Sequence, residues 1–474
     1  MKKIILIHPP WSYIYGKFQD AARAGNLYPP LGLCYIASYI NEFRPEYSVE
    51  IIDGEVEDLS LNELVSEIVK KKPILIGLSS TSPLFKQTKA LANLIKTNLN
   101  TKIVLGGSHA TVLKGSILQE EQDFDYVIYG EGEESIIEML DYLDDKKDIK
   151  DIKGLVYRDK EKKIKDNGER RLSQDIDKYL PPARELLRYE RYLWSVPRKG
   201  TVPFTTIMTT RGCPFQCIFC SAQNVFGRTL RKRSIESVVT EMEWVVEHLH
   251  IKHFSFIDDC FTLLKDRVIA MCQEIIGRGL NITFEGFTKA DTVDDDILYM
   301  LKKAGMVRIS FGIESGNPEM LKRIKKGITL DEIRNAFKLS KKYQLETKGS
   351  AIIGFPYETK ETLMDTINFI TSIKECDQVY LNICTPYPGT ELYDMAVNGE
   401  GGIKLLSNDF SKYLRYGNPV IEVDGLSKDE LIKYQKYGFR KFYFKPERIW
   451  YNLKRAGFKA GLKNAFAFLK GVSR

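Results

Sequence analysis

Three cysteines, Cys213, Cys217 and Cys220, stand within eight residues in the stretch Arg211-Gly212-Cys213-Pro214-Phe215-Gln216-Cys217-Ile218-Phe219-Cys220. A short loop with thiolates at this spacing can wrap them around one metal centre. An iron–sulfur cluster normally takes four protein ligands, so three leave one iron open to a small molecule. Two other chemistries use neighbouring cysteines. A disulfide suits oxidising compartments, and a zinc knuckle would need a fourth Cys or His at similar spacing, which this stretch lacks. The other cysteines (Cys34, Cys260, Cys272, Cys376 and Cys384) are isolated and read as buried thiols, with Cys260 and Cys384 near expected strand ends.

Such a loop needs a scaffold. From about residue 204 to 386, β-branched apolar runs alternate with amphipathic patterns. Strands are predicted at 204–210, 253–257, 282–286, 307–313, 347–353 and 379–385, with helices between them, for example at 235–249 and 331–343. Six βα units predict a partial (β/α)6 TIM-type barrel with its chemistry at the strands' carboxyl ends. The residues there carry chemistry. Asp258-Asp259 follows the second strand, Gly312-Ile313-Glu314-Ser315-Gly316 the fourth, Gly354-Phe355-Pro356-Tyr357-Glu358-Thr359 the fifth and Tyr387-Pro388-Gly389-Thr390 the sixth.

The C-x3-C-x2-C loop, with Phe219 just before the last Cys, resembles the radical S-adenosylmethionine (radical SAM) superfamily. That resemblance implies a [4Fe-4S] cluster on Cys213, Cys217 and Cys220. Its open iron would chelate the amino and carboxylate groups of SAM, and its electron would release a 5′-deoxyadenosyl radical. The resemblance sets Glu314 against SAM and the turn at Gly354 and Pro356 near the adenosine. Phe219 and Asp258 are further candidate contacts, although Asp258 and Asp259 would equally serve as caps of the following turn.

The first 143 residues show a second alternation, with strands predicted at 3–8, 49–53, 74–79, 102–105 and 126–129 and helices at 31–42, 61–70, 84–99 and 134–143. This pattern predicts a doubly wound, Rossmann or flavodoxin-like parallel sheet, which binds ligands at the carboxyl ends of its strands. At those ends stand Pro29-Pro30-Leu31-Gly32, Ser79-Ser80-Thr81-Ser82, Gly106-Gly107-Ser108-His109 and Gly130-Glu131-Gly132-Glu133. Taken in order, these segments resemble the cobalamin-binding domain that precedes many radical SAM domains. The resemblance makes Leu31, Gly32, Ser79, Thr81, Gly106, Gly107, His109, Gly130, Glu131 and Gly132 candidate cobalamin contacts. A plain flavodoxin-like domain with glycine turns is the bland alternative. The D-x-H-x-x-G motif by which other cobalamin proteins offer a histidine to cobalt is absent, so His109 is read as a contact and not a ligand.

Residues 144–203 read as a charged hairpin and linker, and 391–474 as a C-terminal extension with basic amphipathic helices. From Lys436 to Arg474 there are eleven Lys/Arg against one acid, so +10 of charge lies there and the rest of this +7 chain carries −3. The body therefore has no nucleic-acid footprint. Ile449, Leu453, Ala456 and Ala460 have helical spacing, as do Leu462, Phe466 and Leu469. A basic amphipathic helix can lie on an anionic bilayer, or simply cover a domain with its charged face in water. The opening MKKIILIHPP reads as a strand and not a signal-peptide core, and a cytoplasmic location is expected.

By resemblance, the two domains imply a cobalamin-dependent radical SAM methyltransferase. It would act on an unactivated carbon of a small or lipid-like substrate and draw electrons from a donor such as flavodoxin or ferredoxin. Relatives of the same organisation cyclise, oxidise or contract rings, or couple lipid chains. A tRNA methylthiotransferase would carry three further cluster cysteines in the first domain, where this chain has only Cys34. A non-catalytic cobalamin or redox sensor would not need Glu314 or the 354–359 turn.

Overall fold

The computed structural model describes residues 1–19, 27–197, 199–414 and 416–449. The chain forms two compact units, one of Met1–Tyr192 with Ser221–Arg233, the other of Leu193–Cys220 with Ser234–Arg474.

In the first unit, β1 (Lys2–His8), β2 (Tyr47–Asp53), β3 (Leu75–Ser79), β4 (Lys102–Gly106) and β5 (Tyr126–Ile128) are joined by parallel pairings. Residues such as Ile5, Ile7, Ile76 and Leu105 are wholly buried because helices cover both faces of the sheet. These helices include α1 (Leu31–Phe43), α2 (Leu61–Lys71), α3 (Phe85–Asn98), α4 (Ser108–Leu113), α5 (Gly115–Glu120) and α6 (Glu133–Leu143). A capping box between Ser60 and Glu63 starts α2. The strand order β2-β1-β3-β4-β5 reverses direction between β1 and β3, which puts a ligand crevice at the strands' carboxyl ends. The charged stretch after residue 144 continues this sheet: β6 (Leu155–Arg158) and β7 (Ile164–Asp166) add antiparallel beyond β5.

The second unit opens with an antiparallel hairpin, β8 (Leu193–Val196) and β9 (Gly200–Pro203). Six parallel strands follow in sequence order: β10 (Thr205–Ile207), β11 (His253–Phe256), β12 (Thr283–Thr288), β13 (Met306–Glu314), β14 (Glu346–Ile353) and β15 (Gln378–Ile383). The first and last are not paired with each other, so the barrel is partial. A buried Arg308 on β13 ties neighbouring strands by donating to Glu285 of β12 and Glu346 of β14. The helix Lys428–Tyr443 covers the open edge at β15. Gln435 donates to the Leu381 carbonyl at 2.7 Å, and the Tyr443 hydroxyl meets both backbone groups of Val379 at 3.0 Å. Side chains thus satisfy an edge that would otherwise invite another strand. This helix approaches closely because a Cβ at Gly438 would collide with Leu381. Among the described residues, no helix is long and apolar enough to cross a membrane. The helical spacing read between 450 and 474 lies outside the described residues.

Candidate functional site

The cysteine loop leaves the barrel's first strand and is fixed at its base by a carboxylate. Asp258, buried just after β11, accepts from the Thr209 amide at 3.1 Å, the Thr209 hydroxyl at 2.8 Å and the Thr210 hydroxyl at 2.5 Å. These bonds anchor the backbone that runs into Arg211-Gly212-Cys213, so Asp258 is placed to hold the loop's root. Burial raises its carboxyl pKa. Desolvation, together with the neighbouring Asp258, pushes the Asp259 carboxyl up to about 6.

Further along, the loop is stitched to the turn after the short helix Pro318–Arg323. The Ile218 amide donates to the Ile324 carbonyl at 3.2 Å, and the Cys217 thiol to the Lys325 carbonyl at 3.7 Å. Ile218 itself is buried, and its carbonyl accepts from Leu392 at 3.0 Å. None of the three cysteines is in a disulfide, and each is half-buried. Burial pushes the Cys213 thiol up to about 11 and raises that of Cys217 as well. Such thiols become thiolates when a metal supplies the compensating charge.

Among the described residues, no three Cys, His, Asp or Glu side chains converge on a single ion. A cube differs from a zinc ion here, because each thiolate binds a different iron corner and the sulfurs need not meet at one point. Three reduced thiols on one pinned loop fit that donor set.

Phe219 and the 354–356 turn come together. The rings of Phe219 and Phe355 lie 5.5 Å apart, and Phe355 is wholly buried. Gly354 takes a φ of +90°, and both its amide and that of Phe355 donate to the buried Glu358 carboxyl. Burial pushes that carboxyl up to about 8. The turn is clamped from outside by Gly401, whose carbonyl accepts from the Tyr357 amide at 2.7 Å.

Glu314 ends β13 with a φ of +63° and accepts from Lys326 at 2.9 Å. Lys289 lies 4.6 Å from the centre of the Phe215 ring and donates to the Gly327 carbonyl at 2.9 Å. Neither lysine was legible in the sequence. Lys326 lies in the run Lys322-Arg323-Ile324-Lys325-Lys326, which reads as a solvated surface, yet it is almost fully buried. The other isolated cysteines, Cys34, Cys260, Cys272, Cys376 and Cys384, are all buried.

In the first unit the strand-end residues divide into two kinds. Gly32 and Gly130 face open space, since a Cβ on either would meet nothing within 4 Å. Thr81 is exposed, and Ser79 and Gly106 are half-buried at the ends of β3 and β4. These positions suit a bulky ligand lying across the sheet's carboxyl edge. The remainder make close contacts within the unit. A Cβ on Gly107 would meet the Ser80 carbonyl at 2.7 Å, so that glycine lets two strand-end loops touch. Leu31 is buried at the start of α1, and Gly132 is close to Ile36. His109 is fully buried, with Nδ1 3.0 Å from the Ser82 hydroxyl and its ring 4.2 Å from that of Phe85. Burial lowers its pKa to about 4. Glu131 is buried against Arg231, at 2.8 and 3.0 Å, and accepts from the Tyr179 hydroxyl at 2.8 Å. The glycine-bordered edge fits a corrin; His109 and Glu131 are turned inward.

Two family models match the chain, the B12 binding domain over residues 20–140 and the radical SAM superfamily over residues 207–370. An uncharacterised methyltransferase of Pyrococcus horikoshii is 34% identical over 446 residues, covering 94% of this chain and 93% of the relative. An anaerobic magnesium-protoporphyrin IX monomethyl ester cyclase of Rubrivivax gelatinosus is 27% identical, covering 95% of this chain and 79% of that protein. In fold, the chain is similar to the radical SAM methyltransferase TsrM of Kitasatospora setae, solved with cobalamin and a [4Fe-4S] cluster. The TM-score is 0.72 at 16% identity, over 94% of this chain and 90% of that one. Matched nearly end to end by a methyltransferase of 34% identity, and carrying both domain models in order, the chain belongs to the cobalamin-dependent radical SAM methyltransferase family.

Proposed function

We propose that this enzyme methylates an unactivated carbon of a small or lipid-like substrate. The supporting observation is one chain that holds both a pinned three-thiol loop beside Glu314 and a glycine-bordered crevice on a doubly wound sheet. When bound, the cluster with SAM and the cobalamin supply radical hydrogen abstraction and a transferable methyl group. The chain's residues do the rest. Cys213, Cys217 and Cys220 hold the cluster, and Asp258 fixes the root of their loop. Glu314 offers a carboxylate oxygen to the ammonium of SAM. The Phe219–Phe355 contact and the Gly354–Pro356 turn give an apolar wall suited to adenine. Gly32, Thr81, Gly106 and Gly130 border the corrin, with their small side chains allowing close approach.

An external reductant such as flavodoxin or ferredoxin completes the cycle. The basic segment after residue 445 favours a lipid-like substrate reached at an anionic membrane surface. A ring-forming or oxidising outcome is the second reading, favoured by the similarity to the cyclase along 95% of the chain. Methylthiotransferase chemistry is disfavoured, because Cys34 is fully buried and no other cysteine precedes Cys213 in the sequence.

The test is anaerobic incubation of the reconstituted protein with reductant, cobalamin, methyl-labelled SAM and a total lipid extract of the producing cells. Methylation gives labelled organic-soluble product together with both 5′-deoxyadenosine and S-adenosylhomocysteine. Deoxyadenosine with no S-adenosylhomocysteine supports the second reading and overturns the first.

A further inference from the structure

Contacts distinguish the two faces of the barrel sheet. On the outer face the Phe256 and Phe284 rings pack 5.2 Å apart, and Leu381 lies against Gly438 of the covering helix Lys428–Tyr443. On the inner face Arg308 of β13 donates to Glu285 of β12 and Glu346 of β14, and Gln378 of β15 also donates to Glu346. Side chains alternate along a strand, so Phe287, Ser310, Lys348, Tyr380 and Asn382 share this inner face, nearer the carboxyl ends.

Large rings on the inside of a barrel are ordinarily packed, yet Phe287 is 44% exposed and Tyr380 41%. On the strands between them stand the buried Ser310 and Lys348, whose ammonium lies 5.8 Å from the centre of the Tyr380 ring and 5.6 Å from that of Trp194. Two open aromatic walls with a few polar groups between them suit an apolar body. The charges on the strands cancel. Glu314 apart, the six strands carry Glu285, Arg308, Glu346 and Lys348, two of each sign. His253, at the start of β11, is kept neutral by burial, its pKa lowered to about 4. An ionic ligand would lose its water here without meeting a surplus of opposite charge. One polar demand is left over. The Asn382 amide nitrogen donates to the Ser350 hydroxyl at 3.2 Å, while its Oδ1 is buried with no hydrogen-bond partner among the described residues. A buried acceptor in that state is costly until a donor reaches it.

We propose that the inner face of the barrel between Phe287 and Tyr380 is the substrate site, and that the substrate is an uncharged, largely apolar molecule bearing a hydroxyl. The two rings hold its apolar body, and Asn382 Oδ1 accepts from its O–H. This rests on the reading of the chain as a carbon methyltransferase and names the class of molecule that reading leaves open. The same face disfavours fatty acids, phosphates and amines, whose charge the balanced strands do not match.

The experiment is equilibrium dialysis of the full chain with four probes that share one apolar chain: 1-decanol, decanoate, decylammonium and 1-methoxydecane. Wild type is expected to bind decanol about tenfold more tightly than either ion. Phe287→Ala and Tyr380→Ala should each weaken decanol binding about tenfold while keeping wild-type iron, sulfide and SAM affinity. Methoxydecane, which has no O–H to donate, should bind severalfold more weakly than decanol to wild type and equally well to Asn382→Ala. Equal binding of decanol and the two ions overturns the proposal, as does undiminished decanol binding in both ring variants. Methoxydecane matching decanol on wild type also overturns it, and so does loss of SAM affinity in the ring variants, which would give those rings to SAM. A wild type that assembles no cluster overturns the underlying functional reading instead, and dialysis of decanol against the cluster-free protein still decides the pocket.

Discussion

Arg231 and Glu131 form a buried, two-bond ion pair that joins the segment following the cysteine loop to the end of the fifth strand of the first unit. The Arg231 side chain is 0% exposed and that of Glu131 5%. Arg231 also donates to the carbonyls of Ser173 and Phe226, so its guanidinium gathers three stretches of chain. Removing one partner of such a pair leaves an uncompensated buried charge.

Arg231→Ala is therefore expected to destabilise the first unit by about 3–5 kcal/mol. Denaturant unfolding would measure the loss. Amide exchange should show residues 221–233 losing protection ahead of β1 and β3.

Replacing Cys213, Cys217 or Cys220 singly by Ala is expected to abolish the cluster, because three ligands are already one fewer than a cluster normally takes. Iron, sulfide and visible absorption after anaerobic reconstitution give the readout. Cys272→Ala, at a fully buried position on the helix Lys265–Gly277, should keep full iron content.

Asp258→Ala should keep the fold but lower cluster retention severalfold, since the Thr209 and Thr210 donors at the loop's root lose their acceptor. Iron content after desalting would show it. Asp258→Asn, which retains one acceptor oxygen, should fall between.

The cysteine loop and the six βα units were legible because thiol spacing and apolar periodicity are local properties of a sequence. Even so, the predicted strand 204–210 is broken: β10 ends at Ile207, and Thr209 is turned to Asp258. The break depends on a carboxylate 49 residues away in the chain. The short helices α4 and α5 were missed, since each has six residues and Lys114 between them is left-handed. The roles of Glu131 and Lys326 were equally hidden. A charge in a turn carries no sign of its burial, and their partners stand 100 and 12 residues away.

Two buried groups should give pH effects of opposite sign. Glu358 titrates near 8 when folded against 4.5 as its ordinary value, so it is held neutral. The folded state binds the extra proton, and its contribution to stability is full below 4.5 and is lost as pH rises toward 8. His109 is depressed from 6.5 to about 4, so its contribution is present above 6.5 and is lost as pH falls toward 4. Unfolding midpoints measured across pH 4–9 should therefore flatten on the alkaline side in Glu358→Gln and on the acid side in His109→Gln.

Membrane contact is expected to reside in the basic tail. Full-length protein should co-sediment with vesicles containing anionic lipid, and a chain ending at residue 445 should stay in the supernatant. Equal sedimentation of the two would remove the argument for a lipid-like substrate.

Each of the two units is assembled from two separate stretches of chain, with residues 221–233 counted in the first although they follow the cysteines of the second. No single cut can therefore free either half intact. A dissection that simply divides the gene near residue 192 would strip the amino-terminal half of Arg231 and leave Glu131 as an orphaned anion in its interior. Expression of the halves as separate proteins should succeed only if the excursion 221–233 is grafted back onto the first piece.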